Sequence, residues 1–403
     1  MVKKIFVKFS ALSLFLISIV VLFGVSNTPA TCQDYFPGKE SEGGWRKNTS
    51  KEFIRSVGIS PEKLEEFGQY NLSVPNSNWE PYSGYQGIIV IKDGWIIGEW
   101  YNVPEAKDFK TYLSSNGKAF AMMCFGIMAD DSNKGLIPDT INSESKVYSK
   151  TWLPQGFPLS DPGKSEITFE HIFQHISGIC PERSASGIEV EKGRNKWTNY
   201  EDWLIGHDDQ WPQTKLLYFS PGHPEEYDGI TTEGEHLQAY SSVSMGHLGL
   251  VLKGIYKKPA HQFLWERLLD PIGFGGIDFH APPSDSIKWF CAGGLRMTPR
   301  DYARFACFLL HDGEWSNQQI VPGTWVQKFR TSPNYANIRS NIDGRFGENY
   351  PKDMFRIAGS GINLAFIIPS MNMIALRTGR ANNNLWDEVE QQFLEKLFNA
   401  VQE

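Results

Sequence analysis

Apolar and polar positions along the chain fall into two strand-rich ends and a helix-rich middle. Gly87-Ile88-Ile89-Val90-Ile91 and Trp95-Ile96-Ile97-Gly98-Glu99-Trp100 are runs of β-formers around Lys92-Asp93-Gly94, and an Asp-Gly turn between two such runs predicts a hairpin. From Ala119 to Met128 the chain is apolar on every side, which predicts a helix through the middle of a core. The polar run Asp130–Gly135 ends that helix. Ser60-Pro61-Glu62-Lys63 supplies a cap residue, Pro at the first helical position and an acid in the first turn, so a helix should run to about Tyr70. Before it, residues 31–59 read as an irregular lead-in.

Past the core helix, Ile167–His175 predicts a short helix capped by Thr168 and closed near Gly178. Pro181 opens an excursion through Trp197, Trp203 and Trp211, and Ser220-Pro221-Gly222 makes a turn. Ser242–Lys253 and Pro259–Leu269 are apolar and helical. Thr298-Pro299-Arg300-Asp301 starts a helix through Leu310. Met354–Ile368 and Met373–Arg377 are β-like runs separated by Pro369-Ser370-Met371-Asn372, and Leu385–Val401 is a closing amphipathic helix. Strands early and late with helices between predict an α+β fold. Its α/β layer is drawn from roughly residues 60–112 and 291–403, and a mainly helical part covers roughly 113–290. No internal repeat is visible.

The first thirty residues change the picture of the N-terminus. Lys3, Lys4 and Lys8 precede an apolar run, Phe9–Val25, and Thr28-Pro29-Ala30 offers small residues for cleavage, which predicts a signal peptide over 1–30 and a periplasmic or secreted mature domain over 31–403. An uncleaved anchor is the rival, since the run approaches membrane-spanning length; it would be the only membrane contact. The 403 residues carry a net charge of -7, and removing the three lysines makes the mature chain more acidic still. With no basic tract following, nucleic acid is not an expected partner. Cys32, Cys124, Cys180, Cys291 and Cys307 form neither a disulfide framework nor a CxxC pair. One bridge remains open in an exported protein.

Candidate chemistry centres on Leu113-Ser114-Ser115-Asn116-Gly117-Lys118, where a serine and a lysine three residues apart share one face at the start of the core helix. Burial disfavours the ammonium and so suits the lysine to act as a base, and a helix N-terminus favours a developing oxyanion at the Ser115 N–H. The same spacing occurs at Ser60/Lys63 and Ser143/Lys146, both in polar surroundings, and the local pattern fits equally a capping serine and a surface lysine. His171 and His175 have zinc-helix spacing, but Ile172 follows His171 where a metallopeptidase needs glutamate. They read as structural histidines, and no metal or cofactor is expected. Gly359-Ser360-Gly361 lacks the third glycine of a nucleotide loop.

Taken together, the ordered segments resemble the family of serine β-lactamases, DD-peptidases and related esterases, from about Gly87 to about Arg380. The likeness rests on Ser115-x-x-Lys118, on Ile167–Gly178 with its His175-Ile176-Ser177-Gly178 ending, on Tyr240-Ser241-Ser242, and on Ala292–Asp301. It implies a β-lactamase/DD-peptidase-like fold with an antiparallel sheet from both chain ends flanked by helices. It further implies Ser115 as nucleophile, Lys118 and Tyr240 as proton carriers, and Ser242, Gly359, Ser360 and Gly361 as substrate-binding positions, with the Ser360 N–H as second oxyanion donor. Ser242 stands where the family has Asn, and Ile357 where it has a cation. The missing cation argues against substrates read by a free carboxylate. What remains is an exported esterase or amide hydrolase acting on small esters, amides or peptides. A non-catalytic binding protein and a true β-lactamase or DD-peptidase are the alternatives. Arg377-Thr378-Gly379 mimics the family's third motif one strand too late.

Overall fold

The computed structural model describes residues 35–77, 84–182, 200–229, 237–280, 287–332 and 335–402. The predicted signal segment, Cys32, Trp197 and much of the polar stretch before Tyr240 lie outside the described residues. Six antiparallel strands form the main sheet: β1 (Gly87–Lys92), β2 (Trp95–Tyr101), β3 (Ile338–Ser340), β4 (Phe355–Gly359), β5 (Asn363–Ile368) and β6 (Met373–Thr378). Their spatial order is β2-β1-β6-β5-β4-β3. The two chain ends meet where β1 pairs with β6, Gly87 opposite Thr378 and Lys92 opposite Met373.

Both faces of this sheet are covered, which is why its strands read as continuous apolar runs rather than alternating ones. Ile88, Val90, Leu364, Phe366 and Ala375 face a layer built from α1 (Pro61–Ser73) and the C-terminal helix, residues Trp386–Ala400. The two helices meet through Phe67 and Phe393, rings 4.8 Å apart and edge to face. Ile89, Ile91, Ala365, Ile367 and Leu376 face the larger core, which holds α2 (Gly117–Asn133), α3 (Ser242–Tyr256) and α4 (Pro299–Leu310). Helix α4 lies against the sheet, and α2 runs deeper, all but its last turn buried.

Several predicted elements form at the expected caps. Ser60 accepts from the Lys63 N–H, Thr168 from the His171 N–H and Thr298 from the Asp301 N–H. Other features differ from the sequence reading. The lead-in contains a helix, Lys51–Ser56, capped by Ser50; six residues with three charges give no apolar stripe to read. The run Met354–Ile368 breaks into β4 and β5 at a tight turn where Gly361 (φ 85°) and Ile362 (φ 55°) are left-handed. The helix over Pro259–Leu269 is shorter, Ala260–Leu264, and continues as one π-turn. The edge strand β3 and the helix Gly323–Thr331 carried no predicted signal. Cys124, Cys180, Cys291 and Cys307 are buried free thiols.

Candidate active site

Ser115 lies in a 3-10 turn, Ser114–Asn116, that feeds directly into α2. The turn is over-determined by its surroundings. Ser114 is held left-handed (φ 52°), a costly state for a residue with a side chain, and Arg380 Nη1 donates to its hydroxyl at 2.9 Å. The Asn116 amide donates to Leu113 O and Asn363 O and accepts from the Tyr302 hydroxyl at 3.1 Å, so it ties the turn to β5 and α4. Glycines let two backbones approach. A methyl at Gly117 would stand 2.8 Å from the Cα of Gly293, and one at Gly359 would stand 2.3 Å from Leu113 O.

At the second residue of α2, Lys118 is wholly buried. Its Nζ lies 3.2 Å from Ser115 Oγ, 2.9 Å from Ser242 Oγ and 3.0 Å from Ala292 O, and 4.6 Å from the centroid of the Tyr240 ring. The other two Ser-x-x-Lys pairs do different work: Ser60 caps a helix while Lys63 pairs with Glu66, and Lys146 pairs with Glu166.

Tyr240 completes the group. Its hydroxyl is 2.8 Å from Ser115 Oγ and 3.0 Å from Asn337 Oδ1. Because the Asn337 amide nitrogen donates to Ala358 O at 2.9 Å, its oxygen is the end that faces the phenol. Burial, and after it the Glu182 carboxylate, push the Tyr240 phenol far above its ordinary pKa, so it is a phenol and not a phenolate at neutral pH. The segment His175–Glu182 builds this wall. His175 O accepts from Ala239 N–H, His175 Nδ1 from Ser241 N–H at 3.2 Å, and Cys180 O from the Ser241 hydroxyl at 3.0 Å. Burial first, then the Lys118 charge, hold the His175 imidazole neutral. His171 Nδ1 accepts from its own cap, Thr168 N–H. Both histidines of the zinc-like spacing thus hold backbone.

Ser242 starts α3 and bridges two charged groups. Its hydroxyl contacts Lys118 Nζ on one side and Glu182 Oε1 on the other, and its N–H reaches the same carboxylate oxygen at 3.3 Å. Glu182 was not anticipated from the sequence; the Pro181-Glu182 dipeptide after the His-Ile-Ser-Gly ending was its sole signal.

These groups open onto a cleft of about 530 Å³ lined by Ser115, Glu182, Tyr240, Asn337, Arg339 and Ser360. A larger groove, about 810 Å³, lies between Gly58, His311 and Ser370, but it contains none of the Ser115 group. Gly359 and Ser360 line the cleft wall, and Asn383 clamps the turn beyond: its amide donates to Ser360 Oγ at 2.6 Å and its oxygen accepts from Gly361 N–H at 2.7 Å.

The far strand corrects one expectation. Ile357 is fully buried in the larger core, paired with Ile338 and Ala365, yet the cleft does not lack cations. Arg356, beside Ile357 on β4, and Arg339, opposite it on β3, both line the wall. Arg356 is paired with Glu390. Arg339 is half-buried, and among the described residues no carboxylate pairs with it. Burial, then the charge of Arg345, draw its pKa down to about 10, which leaves it charged at neutral pH. Arg377, in the late motif mimic, instead donates to Ile362 O at 3.0 Å from a buried position and does not reach the cleft. No cluster of His, Cys, Asp and Glu suited to a metal occurs among the described residues.

Comparisons with known proteins bear on the family and the fold. A family model described as Beta-lactamase matches residues 86–361. Among solved structures, a candidate beta-lactamase from Bacteroides dorei is similar at TM-score 0.62 and 18% identity, over 85% of this chain and 99% of that one. EstCE1, a hydrolase with promiscuous acyltransferase activity, is similar at 0.61 and 12%, over 84% and 98%. A candidate 6-aminohexanoate-dimer hydrolase from Bacillus anthracis is similar at 0.57 and 15%, over 90% and 87%. At such identities these likenesses speak to the fold. No curated protein matches the chain.

Proposed function

This chain belongs to the beta-lactamase family of serine hydrolases, and from that premise we propose that it cleaves a carboxylic ester or amide through an acyl-enzyme on Ser115. The observation that carries the reading is the convergence of Lys118 Nζ at 3.2 Å and the Tyr240 hydroxyl at 2.8 Å on one serine oxygen. Lys118, in its neutral form, takes the Ser115 proton as Oγ attacks the carbonyl carbon. The oxyanion forms at the helix N-terminus, where the Ser115 N–H and the Ser360 N–H are its donors. Tyr240 then gives its proton to the departing oxygen or nitrogen and is reprotonated from Lys118. Water attacks the acyl-enzyme by the same steps in reverse order: one of its protons is relayed to the departing Ser115 Oγ and the other leaves on the carboxylic acid.

We take a linear ester or amide as the substrate; among the similar structures one is named a 6-aminohexanoate-dimer hydrolase and another a hydrolase with promiscuous acyltransferase activity, beside one named a beta-lactamase. A second reading is favoured by Arg339. A guanidinium on the cleft wall with no carboxylate paired to it among the described residues suits a substrate bearing a carboxylate. Replacing Ser115 with Ala should abolish release of 4-nitrophenol from 4-nitrophenyl acetate, with the far-UV spectrum unchanged. Persistent turnover by a folded S115A protein would remove Ser115 from the mechanism. A wild-type protein that forms no covalent adduct with a serine-directed probe would instead mark it as a binding protein.

A further inference from the structure

The lysine of this site is a base only if its lone pair faces Ser115, and the structure shows what fixes that direction. A neutral amine has two N–H bonds and one lone pair. Among the described residues, Ala292 O, Ser242 Oγ and Ser115 Oγ lie within hydrogen-bond reach of Lys118 Nζ. The carbonyl of Ala292 can only accept, so it takes one N–H. Ser242 is the ambiguous neighbour. A serine hydroxyl can accept the second N–H, or it can turn and donate its own proton into the lone pair. In the second case the base is consumed before it reaches Ser115.

We propose that Glu182 is a positioning residue that settles this choice, turning the Lys118 lone pair onto Ser115 through the Ser242 hydroxyl. An ionised carboxylate is acceptor-only, and Glu182 Oε1 sits against both the Ser242 hydroxyl and the Ser242 N–H. The Ser242 proton therefore points at Glu182, its lone pairs point at Lys118, and the second N–H is fixed. With both N–H bonds so directed, the lone pair is turned toward Ser115 Oγ, 3.2 Å away. Glu182 is itself anchored close to its attachment: its N–H donates to Tyr240 O at 2.8 Å, and Pro181 before it has a fixed φ. Tyr240 and Glu182 are thus registered to each other by backbone.

The inference rests on the acyl-enzyme reading, and its test separates the two. Steady-state hydrolysis of 4-nitrophenyl acetate is measured for wild type, S115A, E182A, E182Q, S242A and the double variant E182A/S242A, each checked for folding by circular dichroism. E182A frees the Ser242 proton to occupy the amine, and kcat should fall by about 10²-fold with KM little changed. Removing the Ser242 hydroxyl as well removes the competing donor, so E182A/S242A should be about tenfold more active than E182A alone. A merely structural Glu182 predicts the opposite, a double variant no better than the single one, and that result overturns the proposal. E182Q keeps an acceptor oxygen for Ser242 and loses the charge. Its plateau kcat should stay within severalfold of wild type, while the acid limb of its pH profile moves down by about one unit as the ammonium loses a nearby anion. A plateau as low as that of E182A, or a limb that does not move, also overturns it. An active S115A defeats the acyl-enzyme reading itself. An inactive S115A beside a wild-type-like E182A defeats this inference alone.

Discussion

Replacing Gly359 with Ala tests whether the Ser115 turn is held by a direct backbone contact. Gly359 ends β4, and its φ lies outside the left-handed region, so alanine meets no conformational barrier there. It meets a steric one. The new Cβ would stand 2.3 Å from Leu113 O, 2.9 Å from the Asn116 amide nitrogen and 3.0 Å from Asn116 N. Two of those three atoms are backbone, and the side chain of Asn116 is tied to β5 and α4, so no flexible group can yield. Relief requires β4 and the nucleophile turn to part by at least about 0.7 Å, an overpacking strain of about 1–3 kcal/mol. The displaced unit carries the Ser115 N–H on one side and the Ser360 N–H on the other. A misplacement near 1 Å costs about 10²-fold in rate. G359A should therefore lose about 10²-fold in kcat for an ester and 1–3 kcal/mol in urea denaturation. Gly275→Ala is the control, since a methyl there meets nothing within 4 Å. A G359A protein with wild-type rate and stability would refute the contact.

Two further outcomes follow from the charges. Arg339→Gln should raise KM about tenfold for an ester whose leaving half bears a carboxylate and leave that for its neutral methyl ester unchanged; equal effects on the matched pair would take Arg339 out of recognition. Burial would lift the Glu99 carboxyl, but hydrogen bonds from Arg300, Lys47 and Tyr101 outweigh it and hold the pKa at about 2. That folded pKa lies below the unfolded value, so its stabilisation of about 3 kcal/mol is complete above about pH 5 and lost as pH falls toward 2. Glu99→Gln should flatten stability against pH across that window, as read by chemical denaturation; an unchanged slope would show that other carboxylates govern the acid limb.

What could be read from the sequence follows from which interactions are local. The hairpin at Lys92-Asp93-Gly94, the caps Ser60, Thr168 and Thr298, and the all-round apolar α2 depend on neighbours in the chain, and each lies where its pattern placed it. The grouping of Ser115, Lys118 and Tyr240 was legible because Ser115 and Lys118 share one helical face and Tyr240 leads into a helix. Asn337, Arg339 and Glu182 were not. The first two flank and occupy a three-residue edge strand, too short for a period-two pattern to show. Glu182 acquires its role only when Ser242, 60 positions away, is folded against it. Ile357 was correctly located on the far strand, but counting along a strand cannot say which cations a neighbouring strand brings to the same wall.

The closure of the sheet by its two ends also sets when the site can exist during synthesis. Ser114 leans on Arg380, 266 positions later, and the strand that carries Gly87 is completed by Thr378, 291 positions later. Early contacts within the helical middle can form as the chain emerges, while these long-range ones wait for Thr378 and Arg380. A nascent chain carrying Ser115 and Lys118 therefore has the serine and its lysine but neither the Arg380 clamp on the turn nor the strand that pairs with β1. The Ser115 turn is therefore held in its folded form only once Thr378 and Arg380 have joined the sheet.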